Sequence, residues 1–123
     1  TFVLDYLHVT AGSTVMPTAS IQLSIHGRKV KDSGYGNGPI DAAFNTIAKL
    51  TGTTSELLRF TISAITGGTD AQGEVTVRLR ENGLVALGRG TDPDIMTASA
   101  LAYINGLNRL EYLKTHPVSH AQL

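Results

Sequence analysis

Two stretches of the chain alternate apolar and polar residues almost without exception. Ala19, Ile21, Leu23 and Ile25 interleave with Ser20, Gln22, Ser24 and His26, and Val75, Val77 and Leu79 with Glu74, Thr76, Arg78 and Arg80. A period of two is that of a strand with one buried face. Residues 2–9 are rich in β-branched and aromatic side chains and predict an earlier strand. Residues 57–65 predict another, with Leu58, Phe60, Ile62 and Ala64 on one side and Arg59, Thr61 and Ser63 on the other. Shorter strands are expected over 28–33 and 84–89, the second entered by a hairpin with Asn82-Gly83 at its tip. Residues 10–15 and 66–73 are expected as connections.

At Pro39 the period becomes helical. Ile40, Ala43, Phe44, Ile47 and Leu50 form one apolar stripe, Pro39 suits the first helical position, and Gly52 stands where a helix ends. A second helix is expected to open with Asp92 as N-cap and Pro93 at its first position. Its predicted buried line is Ile95, Ala98, Ser99, Ala102, Leu110 and Leu113. Gly106 falls on that line, where it weakens the helix by roughly 1 kcal/mol relative to alanine but admits a close neighbour.

Strand-strand-strand-helix therefore occurs twice. A shift of fifty-four positions lays Gly34 on Gly88, Gly36 on Gly90 and Pro39 on Pro93. This predicts an α+β fold of two βββα units related by a pseudo-twofold axis, the product of an internal duplication. Neither unit could bury its core well alone. One domain is expected over residues 1–114, with units 1–53 and 54–114, and residues 115–123 as a loose tail. The seam between the units should hold both glycine turns.

Charge narrows the partners. Ten basic and ten acidic residues cancel, so neither nucleic acid nor an anionic membrane is an expected partner. The absence of cysteine excludes disulfides, a thiol nucleophile and cysteine-ligated metal. No apolar run reaches transmembrane length. The start, Thr1-Phe2-Val3, is strand-like and lacks methionine, which suggests a domain of a longer protein.

The candidate chemistry centres on Gly34-Tyr35-Gly36-Asn37-Gly38-Pro39, a glycine-rich turn running into a helix. It is neither the dinucleotide fingerprint nor a P-loop, and its simplest role is a tight connection. Bare N–H groups at the helix start also suit a carboxylate, which gains roughly 0.3–1 kcal/mol there when exposed. Asp41 and Asp92 lie where helix starts favour negative charge. His8 and His26 are expected on strands with packing or surface roles, and His116 and His120 lack a third ligand for a metal. No nucleophile and base stand together, so the residues indicate a binding module more than an enzyme.

Four ordered blocks then carry a resemblance. They are Leu4-Asp5-Tyr6-Leu7-His8-Val9, Gly36-Asn37-Gly38-Pro39-Ile40-Asp41-Ala42, residues 66–75 (Thr-Gly-Gly-Thr-Asp-Ala-Gln-Gly-Glu-Val), and Gly88-x-Gly90-Thr91-Asp92-Pro93-Asp94-Ile95-x-x-Ala98-Ser99-Ala100. Together they resemble the C-terminal regulatory domain of 2-isopropylmalate synthase, over about residues 2–110; citramalate synthase carries a similar domain. The resemblance implies feedback inhibition by an end-product amino acid, leucine, or isoleucine in the citramalate alternative. It implies a homodimer, a cytoplasmic parent, and a separate catalytic barrel that condenses acetyl-CoA with 3-methyl-2-oxobutanoate using a divalent metal. No cofactor and no catalysis are expected of this chain itself. An effector-insensitive dimerisation domain is the bland alternative. Carried over by motif, the effector site comprises Gly36, Gly38, Ile40 and Asp41; Leu57, Phe60 and Ala64; Ala71 and Gly73; and Thr91 and Pro93. The resemblance leads to an expectation of tyrosine at position 60 in some relatives, so a hydroxyl contact would be missing at Phe60.

Overall fold

The two alternating stretches become the central strands of two sheets. The computed structural model describes residues 1–65 and 72–116, with 64 and 65 by their backbone alone. Its order is β1 (Phe2–Gly12), β2 (Val15–Ile25), β3 (Arg28–Tyr35), α1 (Pro39–Thr51), β4 (Glu56–Ile65), β5 (Gln72–Glu81), β6 (Leu84–Asp92) and α2 (Ile95–Thr115). The sheets run β1-β2-β3 and β4-β5-β6, all antiparallel. The chain is thus two βββα units. Most strands extend beyond the expected bounds, because ladder bonds recruit end residues that show no hydrophobic period.

The units correspond, but at a different offset from the expected one. His26-Gly27 and Asn82-Gly83 form the same hairpin tip, with φ of 51° and 82° in the first and 52° and 80° in the second. Two consecutive positive φ angles define the turn that matches strand twist. These tips lie fifty-six positions apart, as do the helix caps Gly38 and Asp94. The counterpart of Gly34 is therefore Gly90, not Gly88. Gly34 faces Thr46 of α1 as Gly90 faces Ala102 of α2. The first strands correspond at fifty-three, since their bulges fall at Asp5 and Leu58. The extra three residues lie between β4 and β5. Matching glycine to glycine chose the wrong frame because α2 presses closer to its sheet and needs two bare positions. A Cβ on Gly88 would stand 2.1 Å from Ala102 O, and one on Gly90 2.3 Å from Ala98 O.

The bulge at Leu58 also changes a face. Leu57 pairs with Leu79, Phe60 with Val77 and Ile62 with Val75. Paired residues point the same way, so Leu57, not Leu58, joins Phe60 and Ile62 on the helix side.

The core lies between sheets and helices. Ile21, Leu23, Ile47, Val75, Val77, Leu79 and Leu110 are fully buried. Helix α1 packs on all three strands of its own unit; α2 packs on β5 and β6, touches α1, and reaches across to β1. Because it is approached from several sides, α2 buries Ala100, Tyr103, Ile104 and Leu107 in addition to its predicted line. The Asn108 amide seals the crossing: it accepts from Phe2 N (2.6 Å) and donates to Phe2 O (2.8 Å).

Helix side chains also close strand edges. Lys49 and Asn45 donate to the carbonyls of Ser33 and Tyr35 on β3 (2.8 and 3.0 Å). On β6, Asn105 accepts from Arg89 N (2.9 Å) and Arg109 donates to Leu87 O (3.3 Å). Such bonds remove the free edge that invites another strand. Among the described residues no helix is long and apolar enough to cross a membrane.

Candidate functional site

The two helix starts differ. Gly38 is the N-cap of α1, extended at φ −152° and ψ 173°, and no side chain caps the helix. Pro39 follows at the first position, as expected. A Cβ added to Gly38 would meet nothing within 4 Å. The glycine is thus required neither by its backbone angles nor by its neighbours, and the helix start behind it is open. None of Gly34, Gly36 and Gly38 has positive φ. Bare backbone here serves close approach: a Cβ on Gly36 would stand 2.2 Å from Ala42 N, so that side of the turn is filled by α1. Asp41 is exposed, and its carboxylate accepts from Asn37 N at 2.9 Å.

At the second start the expected cap is corrected. Asp94, not Asp92, is the N-cap, and its carboxylate accepts from Met96 N and Thr97 N. Asp92 instead accepts from Asp94 N (2.9 Å), and Pro93 precedes the cap rather than opening the helix. Asp94 is held below the usual carboxylate range, first by the Thr97 hydroxyl, then by the N–H groups of Met96 and Thr97, against desolvation. A carboxylate already caps this helix start, whereas at α1 the Asp41 carboxylate turns back to Asn37 N and no side chain caps the helix.

The remaining predicted residues lie along the second sheet. Leu57 and Phe60 share its helix-side face, and the backbone of Ala64 continues the same row. Ala64 pairs with Gly73, and Gly73 with Asp92, so these positions form one line across three strands beside Thr91 and Pro93. A Cβ on Gly73 would stand 2.4 Å from Ile95 Cδ1, at the start of α2. Ala71 lies outside the described residues.

The predicted residues therefore form two groups, one at the start of α1 and one on the second sheet. Their link is aromatic. Phe44, one turn after Ile40, meets Phe60 edge-on at 5.7 Å and Tyr103 of α2 at 4.6 Å. No hydrogen bond or ion pair joins the two groups among the described residues. Two clefts among the described residues lie elsewhere. One of about 620 Å³ is lined by Val85, Leu87, Arg109, Tyr112 and Leu113, and one of about 560 Å³ by Tyr6, Gln22, Lys31 and Asp32. Thr91 lines a third, of about 410 Å³, with Phe2, Leu4, Leu101 and Asn105.

Sequence reasoning missed Tyr103 and Asn108. Burial pushes the Tyr103 phenol up, against a hydrogen bond from Ser55. Tyr103 sits off the predicted stripe of its helix, and nothing in the order of residues joins Asn108 to Phe2. Of the histidines, His26 is a turn residue rather than a strand residue, and His116 closes α2 with its ring stacked on Tyr112. Among the described residues no three His, Asp or Glu side chains converge as a metal site.

Free N–H groups at a helix start suit an anionic group, and the exposed Asp41 carboxylate beside them suits a cationic one. Two βββα units, each an antiparallel three-stranded sheet followed by a helix, define a duplicated α+β module. The chain is a member of the LeuA allosteric (dimerisation) domain family, whose model matches residues 1–111. It is 54% identical over 111 residues to a 2-isopropylmalate synthase of Syntrophus aciditrophicus (strain SB), covering 90% of this chain and 22% of that protein. A 2-isopropylmalate synthase of Nitratidesulfovibrio vulgaris (strain DSM 19637 / Miyazaki F) is 55% identical over 105 residues, 85% of this chain and 20% of the relative. One of Carboxydothermus hydrogenoformans (strain ATCC BAA-161 / DSM 6008 / Z-2901) is 47% identical over 111 residues, 89% and 22%. The chain thus spans about a fifth of the length of these curated relatives.

Proposed function

We propose that this chain is the effector-binding, homodimeric regulatory domain of a cytoplasmic 2-isopropylmalate synthase, and that leucine is its effector. The parent enzyme condenses acetyl-CoA with 3-methyl-2-oxobutanoate in a separate catalytic barrel. The divalent metal belongs to that barrel, and the domain alone turns over nothing. The observation that carries this reading is the uncapped, sterically open start of α1 in a chain of this family. Leucine is placed with its carboxylate at the N–H groups behind Gly38 and its side chain toward Ile40, Phe60 and Leu57. Leucine is regulatory insofar as it binds two states of the enzyme unequally.

Calorimetric titration of the chain with leucine and with isoleucine tests the proposal. Saturable heat with leucine, tighter than with isoleucine, is expected. Tighter isoleucine binding transfers the chain to the citramalate alternative, and no heat with either leaves only a dimerisation role. The Gly38→Val variant should lose leucine binding while keeping its fold, since neither φ nor neighbours oppose a side chain there. Unaltered affinity would remove this turn from the site.

A further inference from the structure

Three Asn-Gly pairs occur in the chain: Asn37-Gly38, Asn82-Gly83 and Asn105-Gly106. An asparagine before glycine is prone to lose its side-chain amide, because glycine has no Cβ to shield its nitrogen from the asparagine side chain. The glycine nitrogen gives its proton to solvent base and bonds to the asparagine side-chain carbonyl carbon. The side-chain nitrogen takes up a proton and leaves as ammonia. Water then opens the cyclic imide at either carbonyl, giving aspartate or isoaspartate. Water is the only co-reactant.

The fold treats the three pairs differently. Asn105 and Gly106 lie within α2, and Asn105 Oδ1 accepts from Arg89 N at 2.9 Å. Gly106 is buried, and a Cβ there would stand 2.9 Å from Leu79 Cδ1, so no room is left for a ring. Asn82 and Gly83 are held at φ 52° and 80° between the paired residues Glu81 and Leu84. Ring closure there must rotate the peptide of the tip and so break it. Asn37 and Gly38 lie between β3 and α1, outside both elements, and Asn37 is exposed. Among the described residues neither the Asn37 side chain nor the Gly38 N–H has a hydrogen-bond partner. A Cβ on Gly38 would meet nothing within 4 Å, so the space around the reacting atoms is open. The bond from Asn37 N to Asp41 holds neither of those atoms.

We propose that Asn37 is a site of spontaneous deamidation, and that its product closes the start of α1 to the effector. The consequence rests on the effector reading above; the site does not. The new carboxylate stands one residue before the cap Gly38, where a helix start attracts negative charge. It competes with an incoming carboxylate for the same N–H groups and repels it. Asp94 shows the result at the other helix start, where a carboxylate of the chain already accepts from Met96 N and Thr97 N. Isoaspartate adds a methylene to the main chain and displaces Gly38 as well. Sensitivity to the effector therefore declines irreversibly with the age of the molecule.

The folded chain, held in mildly alkaline buffer and digested at intervals, tests this by peptide mass spectrometry with isoaspartate detection. Asn37 should convert about tenfold or more faster than Asn82 and Asn105, which need local opening first. In urea all three should convert at similar rates, because only the fold distinguishes them. Folded chain in which Asn82 or Asn105 keeps pace, or in which Asn37 stays intact while it converts in urea, overturns the site. Calorimetry with leucine reads the consequence. The leucine Kd of the converted chain should rise about tenfold or more through charge repulsion. Asn37→Asp carries the carboxylate without ageing and should show the same loss. Asn37→Ala should keep its Kd through the same incubation. Equal Kd in fresh chain, converted chain and Asn37→Asp overturns the consequence and spares the effector reading. Fresh chain that binds no leucine defeats that reading and the consequence together, while the mass spectrum still decides the site.

Discussion

Asn108 joins the two units by mimicking a strand. Its side-chain amide gives Phe2 the acceptor and donor that a neighbouring backbone would supply. Asn108→Ala leaves both half-buried backbone groups unpaired and should cost about 1–3 kcal/mol, read from urea unfolding. Glu81 plays a comparable part at the far end of α2. It is a buried carboxylate whose Oε2 accepts from the Thr54 N–H (3.2 Å) and hydroxyl, while Oε1 meets the Lys114 ammonium. It thereby ties the α1–β4 connection and the last turn of α2 to the end of β5. The Lys114 ammonium and then the Thr54 hydroxyl hold Glu81 below its usual 4.5, against desolvation. Lys114 is held above its usual 10.5, chiefly by Glu81. A lowered carboxylate stabilises fully above its unfolded pKa and loses that contribution as pH falls through the folded value. A raised ammonium stabilises fully below its unfolded pKa and loses it as pH rises through the folded one. The tie is therefore complete between about pH 4.5 and 10.5. Glu81→Gln should lower the thermal midpoint at neutral pH and flatten its decline below pH 4.5. A parallel acid decline in both proteins would remove Glu81 from that role.

Helix α2 lies against its sheet more closely than side chains allow, and Gly88, Gly90 and Gly106 make this possible. Gly90→Ala must push α2 away from β6, because the atoms it meets are helix backbone and cannot rotate aside. Overpacking of this kind costs typically 1–3 kcal/mol and occasionally more, so a loss of about 3 kcal/mol is expected by chemical denaturation. Gly38→Ala, facing open space, should change stability by less than about 1 kcal/mol. The same elements show what the chain made readable. Six strands and two helices follow from periodicity, and the Asn82-Gly83 tip and Gly52 cap from local turn chemistry. The side of β4 that faces the helices does not. One bulged residue, Leu58, inverts the alternation on one side of it, and a bulge depends on pairing with β5 rather than on the strand's own residues. The cap of α2 was misplaced for a local reason: Asp92 and Asp94 are both good caps, flank Pro93, and differ in where β6 ends.

For the molecule as a whole, binding and stability are linked. A ligand that binds only the folded chain raises its midpoint by mass action, by about 2.7 kcal/mol of added stability at a hundredfold excess over Kd. Thermal unfolding with rising leucine should show a continuous upward shift, and Gly38→Val should abolish it while keeping the unliganded midpoint. An unchanged wild-type midpoint would indicate a module that associates without sensing leucine. The residues named for the effector come from distant parts of the chain. Motif alone grouped Gly38 and Ile40 with Leu57 and Phe60, and the fold connects the groups through Phe44, which no motif contained.

The order of residues by itself determined the two βββα units, the faces of β2 and β5, the glycine turn before α1 and the family. These depend on interactions between residues near one another in the chain, or on motifs that survive as strings. The tertiary structure decided the offset of the repeat, the inverted face of β4, the openness of one helix start and the closing of the other by Asp94, and the reach of α2 across to β1. Each depends on which distant surfaces meet: how near α2 can approach β6, where a bulge settles against β5, and which strand of the other unit α2 comes to touch.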